Sequence, residues 1–263
     1  MTVMPDWRSR TRLLYGDVGA SRIAEATILV TGLGAVGSAA VEALARTGVG
    51  NLILIDFDEV EPSNINRQLY ALQSTIGRPK CDVAQERVRD INPECAVTVL
   101  PERLPGDFMV ISELLANSPR PEVIVDAIDE IGAKAALIMY GLRFGIPVVS
   151  SMGAARRSDP SKVRTGSLGE VSGCPLAKGL RRELRDLLSS SEGFPGLAVE
   201  TLPASCLTCV YSSEAPAPQV SSPVFGPRAM GSSICVTGAF GLSAAAAALR
   251  IINPVVGLSV VTS

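Results

Sequence analysis

A doubly wound α/β fold with a mostly parallel sheet is what this sequence predicts, on three observations. Between residues 27 and 151, short apolar runs alternate with helical patterns, the order that builds a sheet layered by helices. The runs at 28–30 and 52–55 are continuous rather than alternating, which suits strands buried on both faces. The stretch "GLGAVG", with Gly32, Gly34 and Gly37, ends one run and opens a helix, as in Rossmann-like sheets that carry a nucleotide at a helix N-terminus.

The elements follow in order. The stretch "EATILVTGLGAVGSAAVEALARTGVGNLILIDFD" reads as strand, glycine turn, helix, glycine and strand, a βαβ unit of the expected length. Pro79 then opens a helix over "KCDVAQERVRDI", followed by a strand at "AVTVL" and a helix near "ISELLAN". Two further buried strands, "EVIVDAID" and "IPVVSS", are joined by the helix "AKAALIMYGLRF". Beyond Met152 the pattern loosens into a stretch rich in Gly, Ser and Arg, and later into "SSEAPAPQVSSPVFGPRAMGSS", with the Pro and Ser content of a long loop. The expectation is one domain, with an N-terminal arm (1–26), a nucleotide-binding core (27–151) and a C-terminal part (152–263) that adds strands and helices and grips the substrate.

The net charge of −2 exerts no general pull on nucleic acid, so any polyanion site must be a local cluster of Lys and Arg. The chain has no histidine, which excludes imidazole catalysis and most catalytic zinc sites. Six scattered cysteines and an N-terminus without an apolar signal region point to the reducing cytoplasm. The apolar segment 234–261 is long enough to suggest a membrane span, but Arg250 and Pro254 interrupt it. An alanine-rich core helix is the better reading.

The chemistry collects around the glycine turn. Asp56 ends the next strand 19 residues after Gly37, where a carboxylate can take ribose hydroxyls while the glycines let the backbone approach a phosphate. A turn that only packs helix on strand would need the same glycines, and neither they nor Asp56 distinguish a dinucleotide from ATP. The cluster "NINRQ" does: Arg67 offers a fork of donors, Asn64, Asn66 and Gln68 add neutral ones, and Lys80 follows in "IGRPK". That set suits several phosphate oxygens. Asp129, in "DAIDE", stands at the end of a strand, where an α/β sheet collects its ligands and where magnesium can be held. A solvated loop and a helix cap would explain these residues singly, but together ATP accounts for them better.

These motifs resemble the ubiquitin-activating-enzyme-like superfamily, which includes the adenylating enzymes of molybdopterin and thiamine synthesis. "GLGAVG", "LIDFDEVEPSNINRQ", "GRPK" and "DAIDE" match it in order. Within it, "RLLYG", "ALARTGVG", "NINRQLYAL", "RVRDINPECAVTV", "VDAIDEIGAKAALI", "CPLAKGLRRELR", "CVYSSEAP" and "GPRAMGSS" resemble the tRNA threonylcarbamoyladenosine dehydratases across nearly the whole chain. The resemblance implies a homodimer, formed in part by residues 152–263, in which ATP activates the carboxylate of the threonylcarbamoyl group on an adenosine beside the tRNA anticodon. Loss of water then closes a ring. By the same resemblance Gly34 and Asp56 hold the adenosine, Arg67 and Lys80 the phosphates, and Asp129 the magnesium. Gly32, Gly37, Asp58, Asn64 and Gln68 complete the ATP site. In that superfamily an arginine from the partner subunit also reaches the phosphates, and Arg10 falls at its position, flanked by Arg8 and Arg12.

Departures from the pattern narrow the reading. Sulfur-carrier activators of the superfamily hold zinc with two Cys-x-x-Cys pairs, whereas this chain has one, Cys206 and Cys209, so no structural zinc is expected. Cys209 would suit a sulfur acceptor for a cysteine-desulfurase partner, although a cysteine beside a strand ordinarily packs. Residues 156–185 hold eight basic residues against three acidic ones. Of these, Arg156, Arg157, Lys178, Arg181, Arg182 and Arg185 are the candidates to grip a tRNA backbone, with a solvated helix face as the plain alternative. A sulfur-carrier adenylyltransferase acting on a C-terminal glycine would use the same ATP residues. An NAD-dependent oxidoreductase would share the glycine turn but leave Arg67, Lys80 and Asp129 without a role.

Overall fold

Residues 6–190, 198–219 and 230–254 are described in a computed structural model. Its strands are β1 (Thr27–Thr31), β2 (Asn51–Ile55), β3 (Ala96–Leu100), β4 (Val123–Asp126), β5 (Val148–Ser151), β6 (Val163–Gly166) and β7 (Leu207–Ser212). Its helices are α1 (Ser9–Glu25), α2 (Ala35–Thr47), α3 (Lys80–Ile91), α4 (Phe108–Leu114), α5 (Ile131–Phe144), α6 (Pro175–Ser190) and α7 (Ile234–Ile252). The strands make one sheet in the order β3-β2-β1-β4-β5-β7-β6. Neighbours are parallel throughout, except that β6 runs antiparallel to β7. This is the doubly wound α/β fold the sequence predicts, and the chain beyond Met152 extends the same sheet through β7 and β6.

The continuous apolar runs follow from two covered faces. In β1, Ile28 and Val30 pack into one layer and Leu29 into the other, and in β2 Leu52 and Leu54 oppose Ile53 and Ile55. Consecutive side chains of a strand point to opposite faces, so a strand between two helical layers has no polar positions. Residues of α2, α3 and α7 fill the first layer, and residues of α4, α5 and α6 the second. On α6, Ala177, Leu180, Leu184 and Leu188 are buried at helical spacing, each leucine contributing about 2 kcal/mol. The opposite face of α6 carries the exposed Lys178, Arg182 and Arg185.

The apolar helix α7 is long and apolar enough to cross a membrane by length and composition. Here it packs against α2, with Val236, Phe240, Ala244 and Ala248 buried; the small alanines let the two helices approach closely. Residues 255–261 of the apolar segment, and the middle of the Pro/Ser-rich stretch at 220–229, lie outside the described residues.

One feature of the core escapes apolar patterning. Lys134 of α5 and Asp126 of β4 are both fully buried, with Nζ 2.7 Å from Oδ2. Ser150 Oγ donates to the same carboxylate oxygen at 2.6 Å, and Lys134 Nζ also donates to the Ser151 carbonyl at 3.0 Å. The remaining Asp126 oxygen, Oδ1, accepts from the Ile128 N–H at 3.2 Å. A buried pair of this kind adds little net stability over an apolar pair, but losing one partner strands a charge in the core and costs about 3–5 kcal/mol. Lys134→Met is therefore expected to lower the urea midpoint sharply, and the double replacement Asp126→Leu with Lys134→Met to recover most of the loss. Unfolding curves of the three proteins check this, and a Lys134→Met chain as stable as the parent would contradict it.

Candidate active site

A cleft of about 1570 Å³ opens at the C-terminal ends of β1, β2, β4 and β5. The sheet order reverses between β1 and β4, and a doubly wound sheet binds its ligands at that point. The three glycines of the turn divide the work. Gly32 has φ +79°, and a Cβ there would sit 2.9 Å from the Ala127 carbonyl. A Cβ on Gly37 would run into the Gly32 carbonyl oxygen, so Gly37 lets α2 pack on the turn. It does not line the cleft itself, and its part in the site is to seat the N-terminus of α2 against the turn. Gly34 alone of the three faces open space, the nearest atom to its would-be Cβ being Gln68 Nε2 at 3.7 Å. It is also the N-cap of α2, with no side chain bonded over it, so the first N–H groups of the helix are free for an anion.

Asp56 fixes the turn. Its Oδ2 accepts from the Leu33 N–H and its Oδ1 from the Asp58 N–H at 2.8 Å. Burial pushes its carboxyl above the ordinary range, opposed by the Asp58 N–H, the Lys80 charge and the Leu33 N–H. Lys80 begins α3, is 4% exposed, and places Nζ 2.7 Å from Asp58 Oδ2. Arg67 donates through Nη1 to the Ser63 carbonyl at 2.7 Å and to Asn66 Oδ1 at 2.8 Å. Among the described residues no carboxylate pairs with it. Asn66 in turn donates to the Ser232 carbonyl at 3.1 Å. Asn64 lines the cleft but commits its amide to closing the short turn at Pro62–Asn64, accepting from Glu61 N–H and donating to Ser63 Oγ.

Two polar atoms of the cleft lack partners. Gln68 Oε1 and Thr31 Oγ1 are buried and unbonded, and buried polar atoms in this state call for a polar ligand. Together with the bare N-terminus of α2, they fit a nucleotide. Asp129 lies exposed at the cleft wall after β4. Among the described residues no three Cys, Asp or Glu side chains converge to hold a metal. A magnesium ion here would therefore take most of its ligands from phosphate and water, with Asp129 as one protein ligand.

The basic segment separates into three groups. Arg157 is 5% exposed, with its guanidinium bonded to the carbonyls of Glu214, Gly153 and Ala155. Arg181 likewise donates to the carbonyls of Leu168 and Val171. These two guanidiniums tie loops together, with Arg157 buried and Arg181 partly so, which sets them apart from the outward-facing cations of α6. Lys178, Arg182 and Arg185 project outward from α6, Arg185 pairing with Glu200 at 2.6 Å. Arg156 lines the cleft itself. Arg10 lies exposed on α1, outside the cleft of its own chain.

Sequence patterning missed Thr31, Phe57, Arg103, Glu130 and Cys174, all of which line the cleft. Arg103 stacks on the Phe57 ring at 4.9 Å and pairs with Glu130 at 3.0 Å. Phe57, Glu130 and Cys174 stand inside matched stretches without a role of their own, and no matched stretch contains Thr31 or Arg103. The rule that parallel strands deliver their ligands at their C-terminal ends would have found Phe57, Arg103 and Glu130, just after β2, β3 and β4.

Sheet order, glycine turn and the bare N-terminus of α2 define a class: a doubly wound nucleotide-binding protein. The model of the ThiF family matches residues 8–261, and the chain belongs to that family. It is 38% identical to the tRNA threonylcarbamoyladenosine dehydratase of Escherichia coli, over 93% of each chain. It is 40% identical to the Bacillus subtilis protein of the same name, over 67% of this chain and 68% of that one. The crystal structure of the E. coli dehydratase in complex with ATP has a TM-score of 0.80 and 35% identity, covering 96% of this chain and 97% of that one.

The thiols also sort by environment. Burial pushes Cys209 and Cys81 up to about 12 and Cys95 to about 11, so they stay protonated and unreactive at neutral pH, whereas Cys235 is exposed. Iodoacetamide at about pH 8 is expected to label Cys235 and spare Cys81, Cys95 and Cys209 in the folded protein. Peptide mass spectrometry checks this, and fast labelling of Cys209 would contradict its place in the core.

Proposed function

We propose that the protein catalyses the ATP-dependent dehydration of N6-threonylcarbamoyladenosine, beside the anticodon of tRNA, to its cyclic form. The observation that carries this reading is the match to the dehydratases over nearly the full length of both chains. ATP supplies the leaving group that lets an oxygen of the threonyl carboxylate depart. The N–H groups opening α2 and the side chains of Arg67 and Lys80 receive phosphate oxygens, Lys80 exchanging part of its bond to Asp58 for them. Asp56 takes the ribose hydroxyls, Gln68 and Thr31 gain the partners they lack, and Asp129 takes magnesium with ATP.

The substrate and assembly follow from the same reading. Lys178, Arg182 and Arg185 on α6 hold the tRNA backbone. Leu13, Leu14 and Val18 of α1 are 78%, 76% and 78% exposed, and a second copy of the chain covers them, bringing Arg10 toward the other subunit's phosphates. The protein works in the cytoplasm, and a sulfur-relay partner would meet Cys235, not the buried Cys209. The alternative is adenylation of a sulfur carrier's C-terminal glycine. The lone Cys206/Cys209 pair, with Cys209 in the core, speaks against that chemistry.

ATP turnover with tRNA carrying the modification, against a small protein ending in Gly-Gly, decides between them: stimulation by the carrier protein alone would replace the dehydratase reading. Arg67→Ala and Lys80→Ala are each expected to lower turnover about a hundredfold with the fold intact by circular dichroism. Replacing Lys178, Arg182 and Arg185 by glutamate is expected to weaken tRNA binding and flatten its salt dependence, without changing ATP affinity. Filter binding at two salt concentrations measures this.

A further inference from the structure

Arg156 follows β5 with a φ of 60°, and among the described residues it is the one non-glycine in the left-handed region. Glycine would adopt that conformation freely, so an arginine there works against the local backbone preference. Two hydrogen bonds fix it: Arg156 N–H donates to the Gly231 carbonyl at 2.8 Å, and its own carbonyl accepts from Ala217 N–H at 2.7 Å. The guanidinium lines the cleft and commits Nη1 to the Ala217 carbonyl at 3.1 Å, leaving its other donors open.

Charge sets Arg156 apart from the other cations of the cleft. Lys80 is paired with Asp58 and Arg103 with Glu130, while Arg157 is buried beneath carbonyls. Arg67 and Arg156 remain, among the described residues, as cleft-lining cations that are neither ion-paired nor buried. Residues 231 and 232 connect their surroundings: the Ser232 carbonyl accepts from Asn66, next to Arg67, and the Gly231 carbonyl from the Arg156 N–H.

Activating a carboxylate with ATP brings two anions together, and their repulsion falls only where separate cations face each. The turn, Arg67 and Lys80 serve the triphosphate. We propose that Arg156 is the receptor for the other anion, its guanidinium holding the threonyl carboxylate that is activated. This rests on the dehydratase reading and replaces a backbone-phosphate contact as the role of Arg156.

The test compares the parent with Arg156→Gly and Arg156→Lys. Arg156→Gly is expected to raise KM for tRNA carrying the modification about thirtyfold, while KM for ATP and the affinity for unmodified tRNA stay within about twofold. Its melting temperature is expected to hold or to rise by about 2 °C as the backbone conformation becomes unstrained. Arg156→Lys restores part of the affinity, because an ammonium lacks the planar fork. Equal weakening of modified and unmodified tRNA would assign Arg156 to a backbone phosphate and overturn the proposal, as would an unchanged KM. A fall in melting temperature with a parallel loss of ATP affinity would mark it as structural. If the parent does not convert the modified tRNA, the dehydratase reading itself fails; an active parent with an unaffected Arg156→Gly overturns this assignment alone.

Discussion

Lys134 is an ammonium group without access to water, and the floor of the cleft depends on where it points. Its contacts with Asp126 and the Ser151 carbonyl bind α5 to the ends of β4 and β5. Through its second oxygen Asp126 holds the Ile128 N–H, and so orients the turn that leads to Asp129. The loop leaving β5 toward Gly153 and Arg156 starts from the residue whose carbonyl Lys134 holds. Both walls of the cleft are therefore set by one group whose own alternatives are costly. A buried ion pair is a poor source of stability but a demanding one in geometry, since each partner must find every hydrogen bond it forfeits in water.

On that floor the cleft distributes charge by pairing. Cations that carry a carboxylate partner, such as Lys80 and Arg103, are held in place before any ligand arrives. Pre-placed charge is worth more to a reaction than charge that must reorganise. Arg67 is oriented by neutral oxygens only, which leaves its charge uncompensated and available to phosphate. Arg157 and Arg181 show the opposite use of the same side chain: the planar fork spans several carbonyls and fixes loops around the cleft. Basic residues close in sequence thus serve three different ends, and only their surroundings tell which.

Much of this was legible in the chain. Continuous apolar runs gave the parallel strands because both sheet faces are covered, and the glycine turn located the cleft because no side chain fits at Gly32 or Gly37. The alanine-rich α7 was legible as a core helix because Arg250 and Pro254 break its apolar run. The basic segment was misleading at Arg157 and Arg181, since charge counted along a sequence carries no information on burial. Arg103 and Glu130 were invisible for a related reason: they meet beyond the ends of β3 and β4, strands consecutive in the chain but separated in the sheet by β2 and β1.

Local chemistry determined the fold class, the strands and helices that follow the glycine turn, and the polar cluster around Arg67 that lines the cleft. These follow from side-chain periodicity and from the backbone freedom of glycine, which act over a few residues. Only the tertiary structure decided that Lys134 and Asp126 share a dry site, that Gly34 faces the open cleft while Gly37 faces protein, and that Arg156 turns a strained backbone toward the cleft. Each of those outcomes depends on which distant segment occupies the neighbouring space, and the sheet order that brings such segments together is fixed by packing, not by any single stretch of residues.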